Sequence, residues 1–259
     1  MGKRLKSCRK RQKKAGKART EEVNMIILSK NGYTVHQTNT RRCACYIIET
    51  DKNCVLIDTS MGFEKEIVTK SLKDVLPKKI NAVFLTHSHS DHVANAKYFS
   101  ELFNCKVYIS NKGLTKLQQG HCAMPHGTNS ISRMIRGAES IIPFYQFTQF
   151  SACPQAEQLN NEVVKFYLGE SAEVIETPGH SDDSVSILLD DCIAFVGDAM
   201  VNNFGMLYPP FADDEKALID SWKLLLNTQC DLFCPAHGKP VSREKFVKVY
   251  RNIKKKLLL

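Results

Sequence analysis

A chain of 259 residues with 43% hydrophobic content can bury one large core, and α/β domains of this length commonly form a single unit. No run of about eighteen apolar residues occurs and the N-terminus lacks the apolar centre of a secretory signal, so a helical membrane span is excluded and the cytoplasm is the expected compartment. The net charge of +9 belongs to one end, because residues 1–20 hold ten Lys or Arg and no acid, leaving 26 basic against 27 acidic residues elsewhere.

That block predicts a disordered, solvated tail over residues 1–22, ahead of a single domain over 23–259. A contact with nucleic acid is its functional alternative. Met25 to Leu28, Tyr33 to Gln37, Ala44 to Glu49 and Cys54 to Asp58 alternate or run apolar, with turns at Asn31-Gly32 and Asp51-Lys52-Asn53. They read as an antiparallel meander whose fourth strand ends in Asp58. Ten cysteines without a secretory signal suggest a reducing compartment. Cys54 and Cys192 lie in apolar runs as core fillers. Neither Cys43/Cys45 nor Cys230/Cys234 has paired metal-knuckle spacing, so no site is assigned to them.

Gly62 to Val75 reads as a helix and Ile80 to Leu85 as a buried strand. The strand delivers His87, His89, Asp91 and His92 within six residues, just before a helix starting over Val93 to Phe99. Lys106 to Ser110 is a further strand and Asn111 to Gln118 a short helix. Residues 120–161 lose any sustained period and read as an insertion across one face, a lid or substrate-facing segment. His121 and His126, inside it, read as surface residues. Strands follow over Val163 to Leu168, Glu173 to Thr177, Val185 to Leu189 and Cys192 to Gly197. His180 follows the turn Thr177-Pro178-Gly179, and Asp198 follows Gly197. Asp213 to Asn227 is an amphipathic helix with Asp213 as its expected cap. Asp231 to Cys234 is a last strand ending at Pro235-Ala236-His237-Gly238, and Ser242 to Leu258 a basic amphipathic helix expected to pack on the core.

Seven nitrogen and oxygen donors thus follow predicted strands: His87, His89, Asp91, His92, His180, Asp198 and His237. Strand ends at one edge of a sheet sandwich converge in space while lying far apart in sequence. Seven donors exceed what one tetrahedral ion uses and suit two ions about 3.5 to 4 Å apart sharing a carboxylate. Imidazole and carboxylate favour Zn²⁺, with Fe or Mn tolerated.

The H-x-H-x-D-H motif at His87 to His92, with Asp58, T-P-G-H at Thr177 to His180, G-D at Gly197-Asp198 and P-A-H-G at Pro235 to Gly238, resembles the metallo-β-lactamase-fold hydrolases. The resemblance spans roughly Met25 to Lys245. It implies a four-layer αββα sandwich and two Zn²⁺, one held by His87, His89 and His180, the other by Asp91, His92 and His237, with Asp198 bridging. Asp58 would lie behind the ligands and orient their loop. Asp91 would add a catalytic role, hydrogen-bonding the nucleophile or shuttling a proton. His89 stands where oxygen-reducing diiron relatives have a glutamate, which disfavours redox chemistry. The expected activity is hydrolysis of a small ester, thioester or lactone, possibly extending to β-lactams. The alternative is a phosphodiesterase or nuclease using the basic tail, and a minor one is a non-enzymatic metal-binding protein. The expected partner is a small-molecule substrate, with no membrane.

Overall fold

The computed structural model describes residues 25–28, 33–38, 40, 42–75, 79–138, 145–203 and 205–257. The expected basic tail and the Asn31-Gly32 turn lie outside the described residues. The first sheet has seven strands in sequential order: β1 (Met25–Leu28), β2 (Thr34–Gln37), β3 (Tyr46–Glu49), β4 (Cys54–Ile57), β5 (Ala82–Phe84), β6 (Lys106–Ile109) and β7 (Glu157–Gln158). The first four pair antiparallel, forming the expected meander, and β4, β5, β6 and β7 run parallel. The second sheet contains β8 (Ala172–Glu176), β9 (Val185–Leu189), β10 (Ile193–Gly197), β11 (Leu232–Pro235) and β12 (Val241–Ser242), in the order β12-β11-β10-β9-β8.

Parallel neighbours need crossovers, and helices supply them. A short 3₁₀ turn (Gly62–Glu64) and α1 (Lys65–Val75) join β4 to β5. The pair α2 (Ser90–Val93) and α3 (Ala96–Phe103) joins β5 to β6, and α8 (Glu215–Asn227) joins β10 to the parallel β11. The side-chain period of two then sorts the residues into layers. Tyr46, Ile48, Val55, Ile57 and Phe84 face Val185, Ile187, Ile193 and Phe195 between the sheets. Ile47, Leu56, Val83 and Leu85 face Val68, Leu72, Val93 and Phe99 on the helices outside the first sheet. Ala194, Val196 and Phe233 face Leu218, Trp222 and Leu225 of α8, and Phe246 of α9 (Arg243–Leu257), outside the second. The result is the expected four-layer αββα sandwich. Strands covered on both faces carry unbroken apolar runs, because neither face meets water.

Two expectations are corrected. Val163–Leu168 is not a strand but lies in α7 (Asn161–Leu168). Its β-branched and aromatic residues recur at helical spacing, with Val163, Val164, Tyr167 and Leu168 packed on the inter-sheet core, and Asn160 Oδ1 accepts the Val163 amide at 2.9 Å. The cap of α8 is Asp214, not Asp213, since its Oδ1 accepts the amides of Lys216 and Ala217. The segment 120–161 also contains more order than its composition signals: α5 (Ser130–Gly137), α6 (Tyr145–Thr148) and β7.

Candidate metal centre

Every predicted donor sits just beyond the carboxyl end of a strand, at one edge of the sandwich. β4 leads into Asp58, β5 into the His87–His92 turn, β8 into His180, β10 into Asp198 and β11 into His237. The donors form two groups in which the ligand atoms lie within 4.8 Å of one another: His87, His89 and His180, and Asp91, His92, Asp198 and His237. In the first group the imidazole centroids are 4.7 to 4.9 Å apart, and His89 Nδ1 faces His180 Nε2 at 2.9 Å. In the second, His237 Nε2 is 3.2 Å from both Asp91 Oδ2 and Asp198 Oδ2. Asp198 touches both groups, its Oδ2 lying 3.5 Å from His180 Nε2 and its Oδ1 3.5 Å from His92 Nε2.

Groups behind the donors fix which atom each presents. His180 Nδ1 donates to the Phe211 carbonyl at 2.9 Å and His237 Nδ1 to the Arg42 carbonyl at 2.6 Å, so both turn Nε2 inward. His92 Nδ1 donates to Asp58 Oδ2 at 2.9 Å, while Asp58 Oδ1 accepts the Thr86 amide at 2.8 Å. Asp58 therefore ties the end of β4 to both flanks of the histidine turn. It does so at φ 58°, a left-handed conformation that its hydrogen bonds offset. Thr59 adds two bonds to the His92 carbonyl, through its amide and its hydroxyl, each at 2.7 Å. Gly179 is required by a close approach, since at φ 132° a Cβ would collide with the Leu218 backbone.

The electrostatics differ between the groups. Burial, reinforced by neighbouring imidazoles, holds His87 well below the ordinary histidine value and His89 at about 3. Burial would raise the Asp198 carboxyl, but His237, His92 and His180 outweigh it and hold the group ionised. Burial would likewise lower His237, yet the carboxylates of Asp198 and Asp91 raise it well above the usual range. Among the described residues, His87 Nε2 and Asp198 Oδ1 are buried with no hydrogen-bond partner, an arrangement that native interiors rarely leave uncompensated.

One neighbour has no sequence signal. Cys43 Sγ lies 3.7 Å from His92 Nδ1, in a cluster with Asp58, because the β2–β3 connection is drawn in by the Ala44 amide bonding the Ala236 carbonyl. No spacing rule links Cys43 to His92. His121 is exposed, and the His126 side chain is 73% exposed, 3.6 Å from Asp213; neither joins a donor group.

A sequence profile described as the Metallo-beta-lactamase superfamily matches residues 38–121. A probable polyketide biosynthesis zinc-dependent hydrolase, PksB of Bacillus subtilis, is 28% identical over 174 residues, 65% of this chain and 61% of that protein. A probable metallo-hydrolase of Methanocaldococcus jannaschii is 29% identical over 198 residues, 74% of this chain and 75% of that one. Among solved structures, an archaeal metallo-beta-lactamase superfamily protein from Sulfolobus tokodaii superposes with a TM-score of 0.61 at 21% identity, covering 84% of this chain and 85% of that one. The MIM-2 metallo-beta-lactamase reaches 0.63 at 16% identity, covering 90% of each chain. These likenesses establish a shared fold.

Proposed function

The chain belongs to the metallo-β-lactamase superfamily, a family of metal-dependent hydrolases, and from that premise we propose that it hydrolyses a small ester, thioester or lactone at a dinuclear zinc centre. The observation that carries the reading is Asp198, a buried carboxylate in contact with both donor groups. The donor set fits the ions: two buried donor atoms, His87 Nε2 and Asp198 Oδ1, have no hydrogen-bond partner among the described residues, which bound cations would satisfy. His87, His89 and His180 would hold one ion and Asp91, His92 and His237 the other, with Asp198 shared. Five imidazoles favour zinc, and one similar protein is named a zinc-dependent hydrolase.

Bound there, paired cations supply Lewis acidity toward the scissile group and lower the pKa of water toward neutrality. The chain's own residues prepare that chemistry. Phe211 and Arg42 hold the Nδ1 protons of His180 and His237, which keeps both Nε2 lone pairs directed at the centre. Asp58 does the same for His92 while fixing the turn through Thr86. The Asp91 side chain, 29% exposed, is the donor carboxylate most open to solvent, placed to accept a proton from the attacking water and return it to the leaving group.

The basic segment over residues 1–20 favours a second reading, a phosphodiesterase whose tail holds nucleic acid. The two separate in one experiment. Metal content is measured together with turnover of esters, thioesters, lactones, β-lactams and bis-p-nitrophenyl phosphate, with Asp198→Ala as the reference variant. The proposal expects two zinc ions per chain, acyl-substrate turnover indifferent to salt and to deletion of residues 1–20, and loss of both turnover and at least one ion in Asp198→Ala. Phosphodiester turnover that falls steeply with salt and with tail deletion supports the second reading. Two ions and full turnover in Asp198→Ala would exclude the shared-carboxylate arrangement.

A further inference from the structure

The three-histidine group is assembled across the seam between the sheets. His87 and His89 follow β5 of the first, and His180 lies in the β8–β9 turn of the second. One buried carboxylate outside the donor groups ties these segments together. Asp183, 1% exposed, lies in the same turn as His180. Its Oδ2 accepts the amide of Ser88, the residue between His87 and His89, at 2.8 Å. Its Oδ1 is 3.1 Å from Lys116 Nζ on α4 (Asn111–Gln119), and its carbonyl accepts the Ser110 hydroxyl at 2.7 Å. Two residues on, the Val185 amide donates to the Thr86 carbonyl at 2.8 Å, so the turn is joined to the histidine segment at two points. Only a glycine fits beside the carboxylate: a Cβ at Gly113 would stand 2.8 Å from Asp183 Oδ2.

A charge taken out of water is retained only where it is paired, and Asp183, carried by the second sheet, finds its hydrogen-bond and ion-pair partners across the seam on segments that follow the first sheet's strands. We propose that Asp183 is a positioning residue that sets His180 against His87 and His89, and so governs ion affinity at the three-histidine group alone. The second group comes from α2 and the ends of β10 and β11, and among the described residues no hydrogen bond or ion pair of Asp183 reaches its donors. The proposal rests on the reading that these histidines hold an ion.

The test is stepwise zinc affinity of the full chain, measured by competition with a chromophoric chelator, beside thermal melting of the metal-free protein. In Asp183→Ala one binding step weakens roughly ten- to hundredfold, the size expected for a group orienting a metal ligand. The other step stays within about threefold, the scatter of independent sites. His180→Ala affects the same step, and adding Asp183→Ala to it weakens the remaining step no further. Ser110→Ala, which leaves the carboxylate in place, lowers the melting temperature and moves neither step. An Asp183→Ala protein that melts cooperatively and binds both ions as the wild type does, or weakens both steps alike, overturns the proposal. If that variant does not fold, Asp183→Asn decides: its single amide oxygen can serve Ser88 or Lys116 but not both. The same step must then weaken by more than about threefold, and unchanged affinities overturn the inference. A wild-type chain that binds no ion instead removes the metal reading on which the inference stands.

Discussion

At the scale of single residues, the centre depends as much on the groups behind the donors as on the donors. Asp58 is the sharpest case, since one carboxylate fixes the His92 proton, the Thr86 amide and the Thr86 hydroxyl. Asp58→Asn keeps the volume but places an amide N–H or a poorer acceptor against His92 Nδ1. Zinc affinity at the His92-containing group is expected to fall roughly ten- to hundredfold, with the fold retained; chelator competition and circular dichroism together check this. Gly179 makes a complementary prediction about packing. A side chain there faces both a left-handed backbone and the Leu218 main chain, so Gly179→Ala should cost about 2 kcal/mol or more in urea unfolding. His180 should also lose register, so ion binding weakens with stability. A Gly179→Ala protein as stable as the wild type would show that the turn has room to relax.

At the scale of elements, α7 tests why local pattern and tertiary structure parted company. The run Val163-Val164-Lys165-Phe166-Tyr167-Leu168 is rich in strand formers, yet a four-residue repeat of core contacts and the Asn160 cap make it helical. Asn160→Ala should destabilise the protein by about 1 kcal/mol through loss of that cap, read as a shift in urea midpoint at constant slope. Trp222 on α8 anchors the opposite layer, stacking edge-on against Tyr208 and Phe246 and donating to the Ala199 carbonyl. Trp222→Ala is expected to cost about 3–5 kcal/mol by the same measurement. The strands that carry donors were legible in the sequence because each is short and ended by a polar residue at a turn, and β4, β5 and β10 are apolar on both faces while β8 alternates apolar with glutamate. Asp58, the His87–His92 run, His180, Asp198 and His237 were found from that pattern, and the structure brings them to one edge. The residues that hold them were not legible. Asp183, Arg42, Phe211 and Cys43 act through a backbone atom, or through proximity across sheets, which no local period encodes. The order within residues 120–161 was hidden for a related reason. That segment is fastened by hydrogen bonds to distant partners, such as the Thr128 amide to the Pro210 carbonyl and the Ser90 hydroxyl to the Phe147 carbonyl.

At the scale of the whole molecule, the cysteines give the fold a pH limit separate from its chemistry. Nine of the ten lie among the described residues. Burial pushes Cys43, Cys105, Cys153 and Cys230 from 9.0 up to about 11 and Cys122 up to about 12, with Cys45 and Cys234 also raised. Above pH 9 the unfolded chain releases thiol protons that the folded chain retains, so the unfolded state binds fewer protons and stability falls as pH rises. The raised imidazoles of His92 and His237 act in the same direction, because their stabilisation is lost as pH climbs through their folded values. His87 and His89 cannot counter this, being neutral in both states above pH 8. The metal-free protein is therefore expected to lose stability, read as its urea midpoint, from about pH 6.5 upward through the two raised histidines, and progressively more between about pH 9 and 11 through the thiols. Alkylation of the native thiols over that window should lag far behind that of the denatured chain. A midpoint that stays level through pH 10.5, or native thiols that react as fast as denatured ones, would mean that the thiol-lined layers admit water and that burial does not set these proton affinities.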